Sequence, residues 1–138
     1  MLSCLVGSEM CIRDSNMLAG INALAAAEAM TMGERLGVSP DILYEVISTS
    51  TGRSYIFETS NPMPDVCSTS PANNKFKPGF MAKLMLKDLR LSQAAAQDAK
   101  TSTPLGAAAT AAFQQLIDSG FGDLDTSSII KVIKPESK

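Results

Sequence analysis

A chain of 138 residues, 45% hydrophobic but only 5% aromatic and with a formal net charge of -2, has the size of one domain with a core of its own. It contains no histidine, which excludes the usual serine and cysteine hydrolase triads and most catalytic zinc sites, and leaves proton transfer to Lys, Asp, Glu or Tyr. No basic run offers a footprint for nucleic acid, and no apolar run approaches the roughly 20 residues of a membrane span, so neither partner is expected.

The first fifteen residues, MLSCLVGSEMCIRDS, mix Gly, Ser and charges without helical periodicity. The run CLVGSEMCIRDS resembles translated sequencing-adapter sequence, and the expectation for residues 1–15 is a non-native or disordered head. Glu9, Arg13 and Asp14 interrupt any signal peptide there. Cys4, Cys11 and Cys67 are too few and too scattered for a disulfide framework or a zinc site, which suggests a reducing compartment and no metal.

From Asn16 the pattern turns helical. Met17, Ile21, Leu24, Glu28 and Met32 trace one face, Ala23, Ala26 and Ala27 permit close approach of another helix, and Gly37 fits a C-terminal stop. A second helix opens on Ser39, Pro40 and Asp41, turns Ile42, Leu43, Val46 and Ile47 inward, and ends near Ser50. A short turn is possible from Ser54 to Glu58. Residues 60–79 carry Pro62, Pro64, Pro71 and Pro78, too many for a helix interior or a central strand; Phe57, Phe76 and Phe80 could pin them as one long ordered loop.

A third helix is predicted from about Phe80 to Lys100, with Phe80, Leu84, Lys87 and Leu91 at i, i+4, i+7 and i+11 on one face. A lysine within an apolar stripe must snorkel outward or meet something polar. Thr103 and Pro104 open a fourth helix that stops at Gly120, and Asp125 or Thr126 caps a last short one through Ile129, Ile130 and Val132. The predicted fold class is all-α, a bundle of about five helices with one long loop.

In this order stand NMLAGINALAAAEAM, STGRSY, NPMPDV, PANNKFKPGF, LMLKDLRL and FGDLDTSS. Each is weak alone, but their order and spacing resemble the 3-hydroxyisobutyrate dehydrogenases, within the β-hydroxyacid and 6-phosphogluconate dehydrogenase family. The resemblance covers about Asn16 to Ile133 and implies the C-terminal helical domain of a two-domain enzyme, with 134–138 as a tail. Its Rossmann domain is expected to be absent, since no G-x-G-x-x-G occurs in the chain.

The resemblance also implies NAD as cofactor, a small hydroxy-acid substrate and no metal. It implies a homo-oligomer formed through helical domains, a place in valine breakdown, and a cytoplasmic setting in bacteria or the mitochondrial matrix in eukaryotes. Asn16 matches a catalytic asparagine that also faces substrate, four residues after a catalytic lysine. Here that position holds Ile12, so the chain alone is expected to be inactive. Lys87 matches a lysine near the cofactor, Phe80 an aromatic beside nicotinamide and substrate, and Asp88 a residue that orients its neighbours. Tyr55 falls where relatives often carry a tryptophan lining the substrate pocket.

Plainer readings stand beside these. Asn16 alone would be a helix cap, Lys87 a snorkelling lysine, Glu28 a helix contact and Arg53 a surface arginine; Asp123 and Asp125 sit where a cap is needed. Rival functions are a related reductase of tartronate semialdehyde or glyoxylate, and a non-catalytic helical oligomerisation module.

Overall fold

The computed structural model describes the backbone of residues 2–135 and the side chains of residues 7–135; the Cys4 side chain and residues 136–138 of the tail lie outside the described residues. Among the described residues six α-helices follow one another: α1 (Leu2–Arg35), α2 (Pro40–Ser48), α3 (Tyr55–Thr59), α4 (Ala82–Asp98), α5 (Pro104–Asp118) and α6 (Ile130–Ile133). Two 3₁₀ turns, Pro71–Asn74 and Thr126–Ile129, complete the regular structure. Among the described residues there is no strand, only one antiparallel bridge between Met81 and Asp125.

Residues 2–15, expected as a head without helical order, are the first turns of α1. Extending an existing helix fixes one residue per hydrogen bond gained, so a weakly patterned run can follow a strongly patterned one. Burial does not select these turns, since Ile12 is 61% exposed.

The inward face of α1 is the small-residue face. Gly20, Ala23, Ala26, Ala27 and Met30 are buried, whereas Glu28 and Met32 of the predicted stripe are exposed. The helix thus presents the side on which neighbouring backbones can come closest, not the side with the largest apolar residues. It runs antiparallel to α4: Ser92 Oγ donates to the Arg13 carbonyl at 3.3 Å, Asn16 meets Asp88, and Gly20 lies against Met85 and Leu89.

The predicted face of α4 is likewise displaced. Ala82, Met85, Leu86, Leu89 and Ser92 are buried, while Leu84 and Leu91 remain 43% and 41% exposed and Lys87 points to solvent. Helix α5 packs Gly106, Ala109, Phe113 and Leu116 inward. A Cβ at Gly106 would lie 2.4 Å from Gln93 Nε2, so a larger residue there would oblige the Gln93 side chain to move.

Three helices end in the same way. The amides of Val38, Phe121 and Thr101 reach back to the carbonyls of Gly33, Leu116 and Ala96, closing Schellman motifs around Gly37, Gly120 and Lys100. The left-handed residue is glycine in the first two and Lys100, at φ 53°, in the third. A lysine in that conformation carries a steric cost that glycine does not. Lys100→Gly is therefore expected to raise stability by about 0.5–1 kcal/mol in urea unfolding; a loss of stability would refute the assignment of strain.

The proline-rich loop is ordered chiefly by asparagines. Buried Asn61 donates to the Phe57 carbonyl at 3.1 Å and accepts the Met63 amide at 3.0 Å, while Ser70 Oγ donates to the Asn61 carbonyl at 2.6 Å. Asn73 accepts the Asp65 amide at 2.6 Å and donates to the Cys67 carbonyl at 2.5 Å. Side-chain amides thus replace the backbone partners that prolines cannot offer.

Candidate functional site

Asn16 in the middle of α1 and Asp88 in α4 are 72 residues apart, and their side chains meet: Asn16 Nδ2 donates to Asp88 Oδ2 at 2.6 Å. A carboxylate only accepts, so the contact fixes the orientation of the asparagine amide. Among the described residues, no other side-chain bond of Asn16 is made beside this one.

Asn16 is also on the wall of a cavity of about 290 Å³. Ala19, Ala23, Ile56, Phe80 and Met85 supply an apolar lining, and Ser60, Asp125, Thr126 and Ser127 a polar one. This pairing of a mostly apolar concavity with a few directed polar groups suits a small organic ligand.

Phe80 precedes α4 instead of opening it, and its backbone is gripped from both sides. Asp125 Oδ1 accepts the amides of Gly79 and Phe80 at 3.0 and 2.9 Å. The Phe80 carbonyl accepts the Thr126 amide at 2.8 Å and the Thr126 hydroxyl at 2.9 Å. Asp125 Oδ2 takes the amide and hydroxyl of Ser127 at 2.9 and 2.7 Å, which caps the second 3₁₀ turn.

The structure therefore joins Asn16, Asp88 and Phe80 at one place but leaves two predicted residues outside its lining. Tyr55 is 77% exposed, because α3 is a single turn that buries Phe57 and gives Ile56 to the cavity. Lys87 is exposed, one residue from Asp88, with no ion-pair partner among the described residues. Asp123, weighed as a metal residue, forms an exposed pair with Lys83 at 2.7 Å. Among the described residues no three His, Cys, Asp or Glu side chains gather as a metal site.

Sequence reasoning missed Ile56, Ser60, Thr126 and Ser127 as lining residues and recognised Asp125 only as a cap. The run FGDLDTSS held the signal, since a helix cap needs one carboxylate oxygen and leaves the other to act elsewhere.

A larger cavity, about 390 Å³, lies among Arg35, Phe76, Lys131 and Lys134 and holds none of the predicted site residues. Its cations sit near the C-terminal ends of α1 and α6, where they offset the helix dipoles; Lys134 pairs with Glu34, and Lys131 lies 5.1 Å from the ring centroids of both Phe76 and Phe121. Titration is perturbed away from both cavities. Burial raises the Tyr44 phenol, and its bond to Cys67 raises it further. Burial also pushes the Cys67 thiol up, but hydrogen bonds from Thr69, Tyr44 and Ser70 outweigh it and hold the thiol below its ordinary value.

The helical scaffold thus sets an asparagine amide, oriented by Asp88, and the Phe80 ring on the wall of one small, mostly apolar cavity. A family model described as "NAD-binding of NADP-dependent 3-hydroxyisobutyrate dehydrogenase" matches residues 14–133, and the chain belongs to that family. The cofactor of the family is NAD.

Mitochondrial 3-hydroxyisobutyrate dehydrogenase of Drosophila melanogaster is 36% identical over 122 residues, 88% of this chain and 38% of that protein. NAD-dependent L-serine dehydrogenase of Pseudomonas aeruginosa is 36% identical over 121 residues, 88% and 41%. A structure of Mycobacterium tuberculosis 3-hydroxyisobutyrate dehydrogenase with L-serine superimposes with a TM-score of 0.86 at 36% identity, covering 91% of this chain and 43% of that one. The chain thus spans about two fifths of the length of these relatives.

This match corrects one expectation. The chain was expected to be a C-terminal domain from which the nucleotide-binding Rossmann part is absent, yet the model covering residues 14–133 is itself described as NAD-binding. The expectation rested on the resemblance to a C-terminal helical half and on the missing strand–glycine loop–helix signature, whereas the residues matched as NAD-binding are helical and contain neither a strand nor that motif.

Proposed function

We propose that this chain forms part of an NAD-dependent dehydrogenase that oxidises 3-hydroxyisobutyrate to methylmalonate semialdehyde in valine breakdown. The observation that carries this reading is the Asn16–Asp88 bond on the wall of the cavity that Phe80 also lines. A cavity of about 290 Å³ has room for a small hydroxy acid or a nicotinamide ring but not for a whole dinucleotide, so the remainder of the cofactor would extend past the rim, where exposed Lys87 could meet its hydroxyls or phosphates. Bound NAD supplies the acceptor for the hydride leaving the carbinol carbon.

The protein's own part is positioning. Asp88 holds the Asn16 amide, the free Nδ2 proton and Oδ1 address a substrate oxygen, and the apolar wall keeps water from the reacting carbon. A lysine one helical turn before Asn16 would share that oxygen and carry the proton. Ile12 can do neither, so the 138-residue chain is expected to bind the cofactor without turning over. Tyr55 would join the substrate pocket only by moving from its exposed position.

Exposed Leu18 and Met32 on α1, Leu36 in the turn after it, and Ile42 and Val46 on α2, which the sequence pattern turned inward, support association of helical segments into a homo-oligomer. The compartment would be bacterial cytoplasm or mitochondrial matrix. A second reading takes L-serine as substrate; it also carries a β-hydroxyl, and the names of the Pseudomonas and Mycobacterium relatives favour it.

Calorimetry of the chain with NADH, followed by 3-hydroxyisobutyrate or L-serine, tests the proposal. Saturable NADH binding, and tighter binding of 3-hydroxyisobutyrate than of L-serine in its presence, is expected. Absence of NADH binding would sink the reading, preference for L-serine would select the second, and NAD reduction by the unaltered chain would overturn the role given to Ile12.

A further inference from the structure

Resting on the reading just given, we propose that Asp125 is a positioning residue for cofactor binding, which acts by clamping the backbone of Phe80 on the wall of the cavity. A residue that merely caps a 3₁₀ turn needs one acceptor, and Oδ2 fills that task through Ser127. Oδ1 is spent instead on two amides 45 and 46 residues away, those of Phe80 and Gly79.

The adjacent Thr126 takes the other polar group of Phe80, bonding its carbonyl through both amide and hydroxyl. Both hydrogen-bonding groups of the Phe80 backbone are thus held by two consecutive residues. Asp125 is 4% exposed, so water competes little for these bonds. A further bond from the Asp125 amide to the Phe76 carbonyl, at 2.8 Å, ties the same segment to the loop preceding Phe80.

The ring is left half-buried on the cavity wall with its backbone held. Preorganising an aromatic in this way removes part of the ordering cost of binding a flat ring against it. The clamp is therefore a determinant of affinity although the carboxylate of Asp125 bonds to the protein itself.

The test is NADH affinity of the full chain by fluorescence titration, with circular dichroism to confirm that each variant is folded. Asp125→Asn leaves one neutral oxygen where two carboxylate oxygens now work, so the clamp on the Gly79 and Phe80 amides is either weakened or exchanged for an NH2 group facing them; Thr126→Val, which removes the hydroxyl bond to the Phe80 carbonyl, is the milder second variant. Each is expected to weaken NADH binding, about tenfold for Asp125→Asn and a few-fold for Thr126→Val, and Phe80→Leu about tenfold. The combination Asp125→Asn with Phe80→Leu should bind no more weakly than the poorer single variant, because both act through one ring.

A folded Asp125→Asn that binds like the parent, or effects that multiply in the combination, would overturn the clamp while leaving the parent's cofactor binding intact. A parent chain that binds no NADH would overturn the functional reading and this proposal together.

Discussion

Asp125→Ala is expected to cost about 3–5 kcal/mol of stability, because it strands three backbone amides and a hydroxyl that now share one buried carboxylate. Hydrogen bonds to a charged acceptor contribute roughly 1.5–3 kcal/mol each, and four that share one group do not add in full. The 3₁₀ turn loses its cap, and the segment before α4 loses two of the bonds that tie it to residues 124–126, in the same step. For a domain of this size the midpoint of thermal unfolding should fall by about 10 °C or more. A drop of under about 1 kcal/mol in denaturant titrations would show that water replaces the carboxylate at no great cost.

Phe113→Ala should be of similar size for a different reason. Phe113 is fully buried on the inward face of α5, and deletion of its ring leaves a void that surrounding side chains close only in part. Large-to-small changes of this kind cost about 3–5 kcal/mol. Leu105→Ala, on the exposed side of the same helix, should stay within about 0.5 kcal/mol of the parent. Equal losses for the two would mean that α5 does not pack as described.

Signals confined to a few neighbouring residues were legible in the sequence. Gly37 and Gly120 stop their helices, Pro40 and Pro104 occupy first turns, and Asp125 caps the final 3₁₀ turn. Which face of a helix turns inward was less legible. Hydrophobic periodicity follows the large residues, but α1 buries its alanines, so a stripe drawn through Glu28 and Met32 ran along the wrong side. In α4 the same reasoning joined Leu84 and Leu91 to Lys87, although Met85, Leu86 and Leu89 carry the packing. The proline count pointed correctly to a long loop, but the asparagines that order it act across four to eight residues and leave no periodic trace.

The site was legible only through resemblance. Nothing in spacing alone pairs Asn16 with Asp88, because their meeting depends on α1 and α4 lying antiparallel at a particular register. Phe80, expected beside nicotinamide and substrate, lies on the wall of the cavity that Asn16 also lines, and what holds its backbone lies 45 residues away in Asp125. Tyr55 is exposed instead: matching a position in a motif does not determine which way a single-turn helix points its first residue. The strand–glycine search for a nucleotide site likewise tested one architecture, in a chain whose NAD-binding match is helical.

Helix α1 has 34 residues, or about 50 Å of rise, and its neighbours do not cover all of it. Met10 and Ile12 face water, whereas Ala23, Ala26, Ala27 and Met30 are sealed within the core. Amide hydrogens in its first turns should therefore exchange with solvent while the rest of the domain stays closed, and those between Ala23 and Met30 only when the core itself opens. A single uninterrupted helix would thus span nearly the whole range of local stability available to the molecule, rising from almost none at one end to that of global unfolding in its middle.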